Sequence, residues 1–578
     1  MFFGAGHHYL EKCFKALYIK LLKRNQVIET VEIKKAVAKL LVKAVKLGKN
    51  EVIKLLEVPP DPKLGDLSFP CFTLGKNPKK IAEKTASKIK PKGMIKKVKA
   101  AGPYINFYFD RSMFADKVVK ECLKDKKVKT RNKVISLDMF GPNAMKGVHV
   151  GHVRNAAVSG CVCRLLKKSG FKVKTVSFGC DIGLPVAKVL WGYLNLGLKP
   201  EGDKGEWLGK LYSVVSNKFK QDERVREEVY ELNKKLYNKD KKVMKVYEKL
   251  VSWSYSYISS VEKKLRLKID NYLWETACVK PALKAIERLK KKGVAEESDE
   301  ALIVNLEEHG LGVFVLLTKQ GVPTYEAKDL GLHLVKSEKQ KADEYLVFTG
   351  AEQKMHFKQV IKTLELMGFK KGSITHIPYE EVMLEGEKIS SRKGNVILFN
   401  QMIDSLNKAA MKEVSKKNSK VSQKQKKEIA DEIALSSLFY GMIKQDMNKK
   451  IDFRVKDWVR FDGDTGAYLQ YNYVRAKKIL EGQQVKKVKI EVKHESEYEL
   501  IRGLSEFDKV LKQAVDKLDP SLIARHAYRL ASSFSRFYEK CPVVMREINN
   551  SRLLIVKAFE QKMKELMLLL GFKPLKKM

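Results

Sequence analysis

His149 and His152 stand three residues apart at the end of Gly141-Pro142-Asn143-Ala144-Met145-Lys146-Gly147-Val148-His149-Val150-Gly151-His152. That spacing puts two imidazoles on one face of a helix. Neutral imidazoles placed there can donate hydrogen bonds to a nucleotide's phosphates as charge builds in a transition state. A helix start also brings free N–H groups and the positive end of the dipole, which suit an anion. Zinc would ask for i,i+4 spacing or distant converging partners, and no such set converges on this pair. Alone, two histidines near a helix start are more often ordinary surface. Far downstream, Lys388, Ser390, Ser391, Arg392 and Lys393 crowd into a compact basic loop. Such a loop can reach an anionic group, or be a solvated patch.

The elements that must position these groups are legible. Val134-Ile135-Ser136-Leu137-Asp138-Met139 reads as a buried strand, and Val153 to Lys168 as a helix stopped by Gly170. Val173 to Phe178 is a second strand, running into Gly179-Cys180-Asp181-Ile182-Gly183. Tyr345 to Phe348 is a later one, running into Thr349-Gly350-Ala351-Glu352-Gln353. Alternating strands and helices from Lys133 to about Asn400 predict a doubly wound parallel sheet, whose ligands sit at the strands' carboxyl ends. Residues 194–277 are charged and helical and read as an insertion. The long segments Gln401–Lys417, Gln423–Met447, Gly466–Glu481, Glu497–Lys517 and Ala524–Glu539 predict a helical bundle. Residues 1–112 form a separate module, with helical periodicity giving way to the strand-like Tyr104–Phe109. Tyr325 and Asp329, four apart, share a helix face, which by itself is an amphipathic surface. Asp138 closes an apolar strand, and a buried carboxylate needs a partner.

Composition narrows the class. The 578 residues carry 114 basic and 68 acidic side chains, a net charge of +46. That excess argues for a polyanionic partner, nucleic acid first, although lysine is spread along the whole chain. The eight cysteines form no CxxC pair, which fits a reducing cytosol and no structural zinc. No apolar run is long enough to span a membrane, and the amino-terminal residues lack a signal-peptide layout. The location expected is cytoplasmic.

The histidine motif and the Lys388-Ile389-Ser390-Ser391-Arg392-Lys393-Gly394 loop together resemble the two signatures of class I aminoacyl-tRNA synthetases. Val58-Pro59-Pro60-Asp61-Pro62, Phe69-Pro70-Cys71-Phe72, Gly141-Pro142-Asn143, Gly350-Ala351-Glu352-Gln353-Lys354-Met355-His356-Phe357, Gly466-Ala467-Tyr468-Leu469-Gln470-Tyr471 and the terminal Lys576-Lys577-Met578 resemble, nearly end to end, the arginyl-tRNA synthetase family. The resemblance implies an α/β fold: a class I Rossmann-type catalytic domain with a parallel sheet (113–400, insertion near 194–277). An α+β N-terminal domain touching the tRNA elbow (1–112) precedes it, and an all-α anticodon-binding bundle (401–578) follows. It implies ligation of L-arginine to tRNA(Arg) through an arginyl-adenylate, with ATP and Mg²⁺, no structural metal, no membrane, and activation that needs bound tRNA. A monomer is expected.

Site roles follow residue by residue from the same resemblance. Asp138, Asn143, Tyr325, Asp329 and Gln353 match the arginine pocket. A guanidinium stays charged at any working pH, so its pocket must supply anionic or carbonyl acceptors. His149, His152, Gly151, Lys388, Ser390, Ser391 and Arg392 match the ATP site, with Gly151 giving adenine access to the backbone and Lys388 neutralising pyrophosphate. Ser391 stands where the usual loop has a second lysine. Lys146, just ahead of the histidines, is the candidate replacement, with Arg392 and Lys393 as rivals. Asn106 and Tyr108 are candidates for the tRNA elbow, and Tyr538 and Met578 for the anticodon. Other class I synthetases and a non-catalytic RNA-binding paralogue remain open alternatives at this point.

Overall fold

A small antiparallel sheet comes first in the computed structural model, which describes residues 28–125, 128–298, 301–318, 321–384, 387–388, 397–417, 421–544 and 548–578. Helices α1 (Ile28–Leu41) and α2 (Lys49–Leu55) precede strand β1 (Leu67–Pro70). Helix α3 (Pro78–Lys88) precedes the hairpin β2 (Ile95–Ala101) and β3 (Tyr104–Phe109). β3 lies between the other two strands. Asn77 caps α3 and Pro78 fills its first position, where a missing N–H costs nothing. Helix α4 (Arg111–Cys122) then leads to the catalytic sheet.

That sheet begins with β4 (Val134–Asp138), α5 (Val150–Lys168) and β5 (Lys172–Gly179). Next come α6 (Leu184–Asn195), α7 (Lys204–Gln221), α8 (Glu223–Tyr237) and α9 (Lys241–Lys264), and then β6 (Asn271–Trp274) and α10 (Glu275–Lys291). A three-stranded sheet follows, β7 (Glu296–Ser298), β8 (Ala301–Asn305) and β9 (Val313–Leu317). The unit closes with α11 (Tyr325–Gln340), β10 (Glu344–Gly350), α12 (Lys354–Met367), β11 (Ile374–Tyr379), β12 (Val382–Leu384) and β13 (Glu387–Lys388). Five strands form the parallel sheet in the order β11-β10-β4-β5-β6. The order reverses between β4 and β10, and in such sheets the crevice opens at that switch point. Gly170, at φ +87°, ends α5 as the sequence predicts. Helices α6 to α9 share an apolar core of their own, around Val186, Leu190, Leu208, Leu211, Val229 and Leu250. The sheet β7–β9 is not predicted by the sequence pattern.

The remainder is helical: α13 (Phe399–Lys417), α14 (Gln423–Ile443), α15 (Val455–Trp458), α16 (Gly466–Leu480), α17 (Glu495–Ser505), α18 (Phe507–Lys517), α19 (Ser521–Lys540) and α20 (Asn550–Leu570), with one short strand, β14 (Ile451–Phe453), paired to β12. The single helix expected over Glu497–Lys517 is two, breaking at Glu506 so that both halves pack on α19. No helix among the described residues is long and apolar enough to cross a membrane.

Candidate active site

At the switch point a cleft of about 940 Å³ opens, and Asp138, Asn143, His149, Gly151, His152, Tyr325, Asp329 and Gln353 all line it. Residues from widely separated stretches of sequence thus meet in one place. Val150 N–H donates to the Ile397 carbonyl at 3.2 Å and Phe399 N–H to the Val148 carbonyl at 2.8 Å, so the chain that follows the basic loop is tied to the start of α5. The backbone of Lys388 lies in β13, paired with Met383. The Lys388 side chain, and Ser390, Ser391, Arg392 and Lys393, lie outside the described residues.

The start of α5 is built differently from the expected cradle of free amides. His149 is the N-cap, not a first-turn residue. Gly151 N–H donates to His149 Nδ1 at 3.1 Å, and His149 N–H donates to His152 Nδ1 at 3.2 Å. With Val150 also engaged, these amides are spent. What they leave is useful. A neutral imidazole accepting at Nδ1 carries its proton on Nε2, so each histidine keeps one N–H donor. The ring centroids lie 3.9 Å apart with their planes tilted by 30°. Gly151 serves this pair directly, since a Cβ there would stand 3.0 Å from His149 Cε1. Arg154 and Asn155, one turn on, staple α5 to the sheet: Arg154 reaches the carbonyls of Glu380, Glu381 and Lys449, and Asn155 bridges Phe140 N–H and the Phe348 carbonyl at 2.7 Å each.

Burial, then the nearby Lys146 charge, pushes His149 down to about 4, and burial, His149 and Lys146 hold His152 well below the usual range. Burial pushes His376 in β11 down to about 4 and His526 in α19 to about 3. These imidazoles are neutral at pH 7. An unfolded chain takes up their protons near pH 6.5, whereas the folded chain waits until about 3 to 4. Their contribution to stability is therefore full above pH 6.5 and is lost as pH falls toward 4. Each group forfeits about 1.4 kcal/mol for every pH unit between its unfolded and folded titration points. The urea midpoint should therefore drop across that window by the equivalent of several kcal/mol. A flat profile from pH 7 to 4 would contradict neutral burial.

The other end of the cleft is organised by α11. Thr324 caps it, accepting from Ala327 N–H at 3.2 Å, and Tyr325 and Asp329 share a face as their spacing requires. Asp329 is buried, and its carboxylate lies 2.5 Å from His356 Nε2. Burial raises the Asp329 carboxyl above its usual range, against the lowering effect of His356. The Tyr325 ring lies 5.0 Å from that of His356 and is 46% exposed, at the mouth. Two further helix positions are buried lysines. Lys328 Nζ sits 2.5 Å from Glu275, with the Tyr237 hydroxyl at 3.1 Å, and Lys336 Nζ sits 2.6 Å from Asp138. Asp138, expected among the ligand's contacts, lines the cleft but has its charge met from within. Of the carboxylates that α11 meets, Asp329 has an imidazole instead of a lysine. Asn143 accepts from Cys180 N–H at 2.9 Å.

Sequence alone missed Glu275, Lys328, Lys336, His356 and Arg154. For Glu275 a signal existed, because it directly follows the carboxyl end of a sheet strand, Trp274. The tRNA candidates divide. Asn106 is buried, bonded to Ser68 inside the N-terminal sheet at 2.5 Å, which is not the placement of an RNA contact. Tyr108 is half-buried, its hydroxyl donating to the Lys63 carbonyl at 3.3 Å. Tyr538 is exposed, with the Arg475 guanidinium 4.7 Å from its ring and Tyr471 also 4.1 Å from that guanidinium. Met578 is half-buried against the core.

The parallel sheet, its switch-point cleft and the histidine-bearing helix start define a class I synthetase catalytic unit. Residues 115–460 match the family model for tRNA synthetases class I (R), catalytic domain, residues 31–109 that for the arginyl tRNA synthetase N terminal domain, and residues 469–578 that for the DALR anticodon binding domain. The arginine--tRNA ligase of Bdellovibrio bacteriovorus is 31% identical over 526 residues, covering 86% of this chain and 89% of that protein. That of Clostridium perfringens is 28% identical over 95% of this chain and all of its own length. The fold matches Thermus thermophilus arginyl-tRNA synthetase with a TM-score of 0.78 over 94% of this chain and 100% of that one, at 22% identity. The chain belongs to the arginyl-tRNA synthetase family.

Proposed function

We infer that this chain ligates L-arginine to tRNA(Arg) in two steps, and that both reactions of arginine occur in the switch-point cleft. The observation that carries this reading is the convergence of a neutral histidine pair and a buried carboxylate without a lysine partner on the two ends of one cavity. The guanidinium lies against Asp329, with the Tyr325 phenol as a wall. Gln353 and Asn143 orient the α-amino acid end. The arginine carboxylate attacks the α-phosphorus of ATP, which arrives with Mg²⁺, and pyrophosphate leaves. The terminal ribose hydroxyl of tRNA then attacks the carbonyl carbon of the adenylate, forming the arginyl ester as the acyl–phosphate bond breaks and AMP leaves. Such transfers ask mainly for alignment and charge stabilisation. His149 and His152 supply N–H donors to the phosphates through Nε2, and Lys388 neutralises the pyrophosphate. Residues 1–112, 113–400 and 401–578 are the corresponding elbow-binding, catalytic and anticodon-binding units, with Tyr108, Tyr538 and Met578 toward the tRNA. The working assembly is a cytoplasmic monomer whose adenylate step requires bound tRNA.

Lys146 supplies the phosphate contact that Ser391 lacks. Adenylate formation should fall about a hundredfold in Lys146→Ala, the size of one lost transition-state contact, and much less in Arg392→Ala. Similar small losses in both would remove that role. The overall reading is tested by charging unfractionated tRNA with labelled arginine, lysine and glutamate: arginine alone is expected to be incorporated. ATP–pyrophosphate exchange with arginine should appear only when tRNA is added, and vigorous exchange without it would contradict the tRNA requirement.

A further inference from the structure

The loop that carries Lys146 is tied to the end of β5, where Ala144 N–H donates to the Cys180 carbonyl at 2.8 Å, and then turns away from the sheet into the inserted helices. Ala144 and Met145 are fully buried in the apolar core of the inserted helices, beside Leu208, Leu211 and Leu250. Met145 takes a left-handed φ of +59°, and its N–H donates to Ser254 Oγ of α9 at 2.8 Å. Gly147 lies against Gly209 of α7 so closely that a Cβ on Gly209 would stand 2.6 Å from Gly147 N. Between these two anchors, the Lys146 ammonium sits 4.6 Å over the ring of Tyr212, also on α7. It forms no ion pair with a described carboxylate, and it is absent from the lining of the cleft. Yet it stands near enough to the histidines for its charge to depress both of them. The same insertion holds the chain beyond the second signature, where Asn400 of α13 donates to Glu206 of α7 at 3.0 Å and accepts from Lys264 of α9 at 3.1 Å.

We propose that Tyr212 is a positioning residue for the adenylate step: its ring parks Lys146 beside the phosphate end of the cleft and makes the inserted helices part of the ATP site. The inference rests on the phosphate role assigned to Lys146 above. The physical case is short. A lysine ammonium has four rotatable stem bonds and a strong hydration shell, so an unguided Lys146 would spend most of its time in solvent. A tyrosine face attracts the ammonium without neutralising it, weakly enough to release it to phosphate. A carboxylate in that position would hold the ammonium and cancel its charge. The glycine pair lets the two backbones approach so that a ring on α7 can reach a side chain of the loop.

The test is a double-mutant cycle read by tRNA-dependent ATP–pyrophosphate exchange. Tyr212→Leu should raise the KM for ATP roughly five- to tenfold, the size of a partly desolvated cation–π contact, and leave the KM for arginine unchanged. Tyr212→Phe, which keeps the ring, should restore the wild-type KM within about twofold. In a Lys146→Met background, Tyr212→Leu should have no further effect, because the group it positions is gone. Equal losses from Tyr212→Leu in both backgrounds, or a Tyr212→Phe as damaged as Tyr212→Leu, would overturn the proposal. A silent Lys146→Met with a damaging Tyr212→Leu would overturn it too, and would locate the failure in the phosphate role of Lys146. Thermal melting accompanies each variant, and Tyr212→Met, a flexible apolar filler, replaces leucine in the cycle if leucine lowers the melting temperature.

Discussion

Asp329→Asn should lower kcat/KM for arginine by about three orders of magnitude while leaving the protein as stable as before, or slightly more so. The two halves of this result come from one fact: Asp329 is a buried carboxylate whose partner inside the protein is an imidazole, His356, at 2.5 Å. The neighbouring acids of the pocket already have lysines, Lys328 for Glu275 and Lys336 for Asp138. The arriving guanidinium therefore finds at Asp329 a buried counter-charge that no described lysine meets. Taking away one partner of a buried ion pair costs about 3–5 kcal/mol, which at about 1.4 kcal/mol per tenfold gives the thousandfold loss. The unliganded protein gains instead, because burial, together with the Glu275 and Glu326 charges, pushes the Asp329 carboxyl upward against His356, and an amide of the same shape removes that penalty. Asparagine can still accept from His356. The measurements are arginine-dependent exchange with tRNA present, the KM for ATP, and the melting temperature. An activity loss below tenfold would move the guanidinium elsewhere in the cleft.

His149→Asn should reduce kcat for adenylate formation by about 10²- to 10³-fold, the range found when one preorganised donor to developing charge is removed. Asparagine is chosen because it is among the best N-cap residues, so it can take over the bond from Gly151 N–H and keep α5 intact. Melting should be unchanged, and a kcat loss without a stability loss isolates the Nε2 donor from the capping role. The pH profile sharpens this. With His149 held near 4 by burial and by Lys146, the imidazole stays neutral through the assay range, and kcat should show no limb near pH 6.5 that depends on it. A limb there that vanishes in His149→Asn would mean proton transfer, and the phosphate-donor role would fall.

The elements that hold the site are readable because their signals are local. Short apolar runs and a 3.6-residue period give β4, α5, β5 and β10 to within a few residues, and four-residue spacing places Tyr325 with Asp329. What sequence does not show is counter-charge. Lys336 and Asp138 are nearly two hundred residues apart, and a lysine on an amphipathic helix looks the same whether it ends in water or on a buried acid. Asp138 therefore reads as an unclaimed carboxylate. The spent amides at the start of α5 are hidden for a related reason: a histidine that caps a helix and one that merely begins it have the same letters. The last helix, Asn550–Leu570, lacks an amphipathic stripe because residues around most of its circumference are buried. Asn106 reads as an RNA contact because a polar residue on a central strand is invisible as core until its partner, Ser68, is found.

The most direct test of an arginine pocket set by the Asp329 carboxylate is citrulline, which keeps the shape of arginine and replaces the guanidinium by a neutral urea. In tRNA-dependent exchange, the ratio of kcat/KM for arginine over citrulline should be about 10⁴, as for sites whose buried polar groups are left unpaired by the wrong ligand. The ratio should shrink by at least about a hundredfold in Asp329→Asn, because the charge that favours arginine is gone. Citrulline used within tenfold of arginine by the unaltered protein would contradict the account.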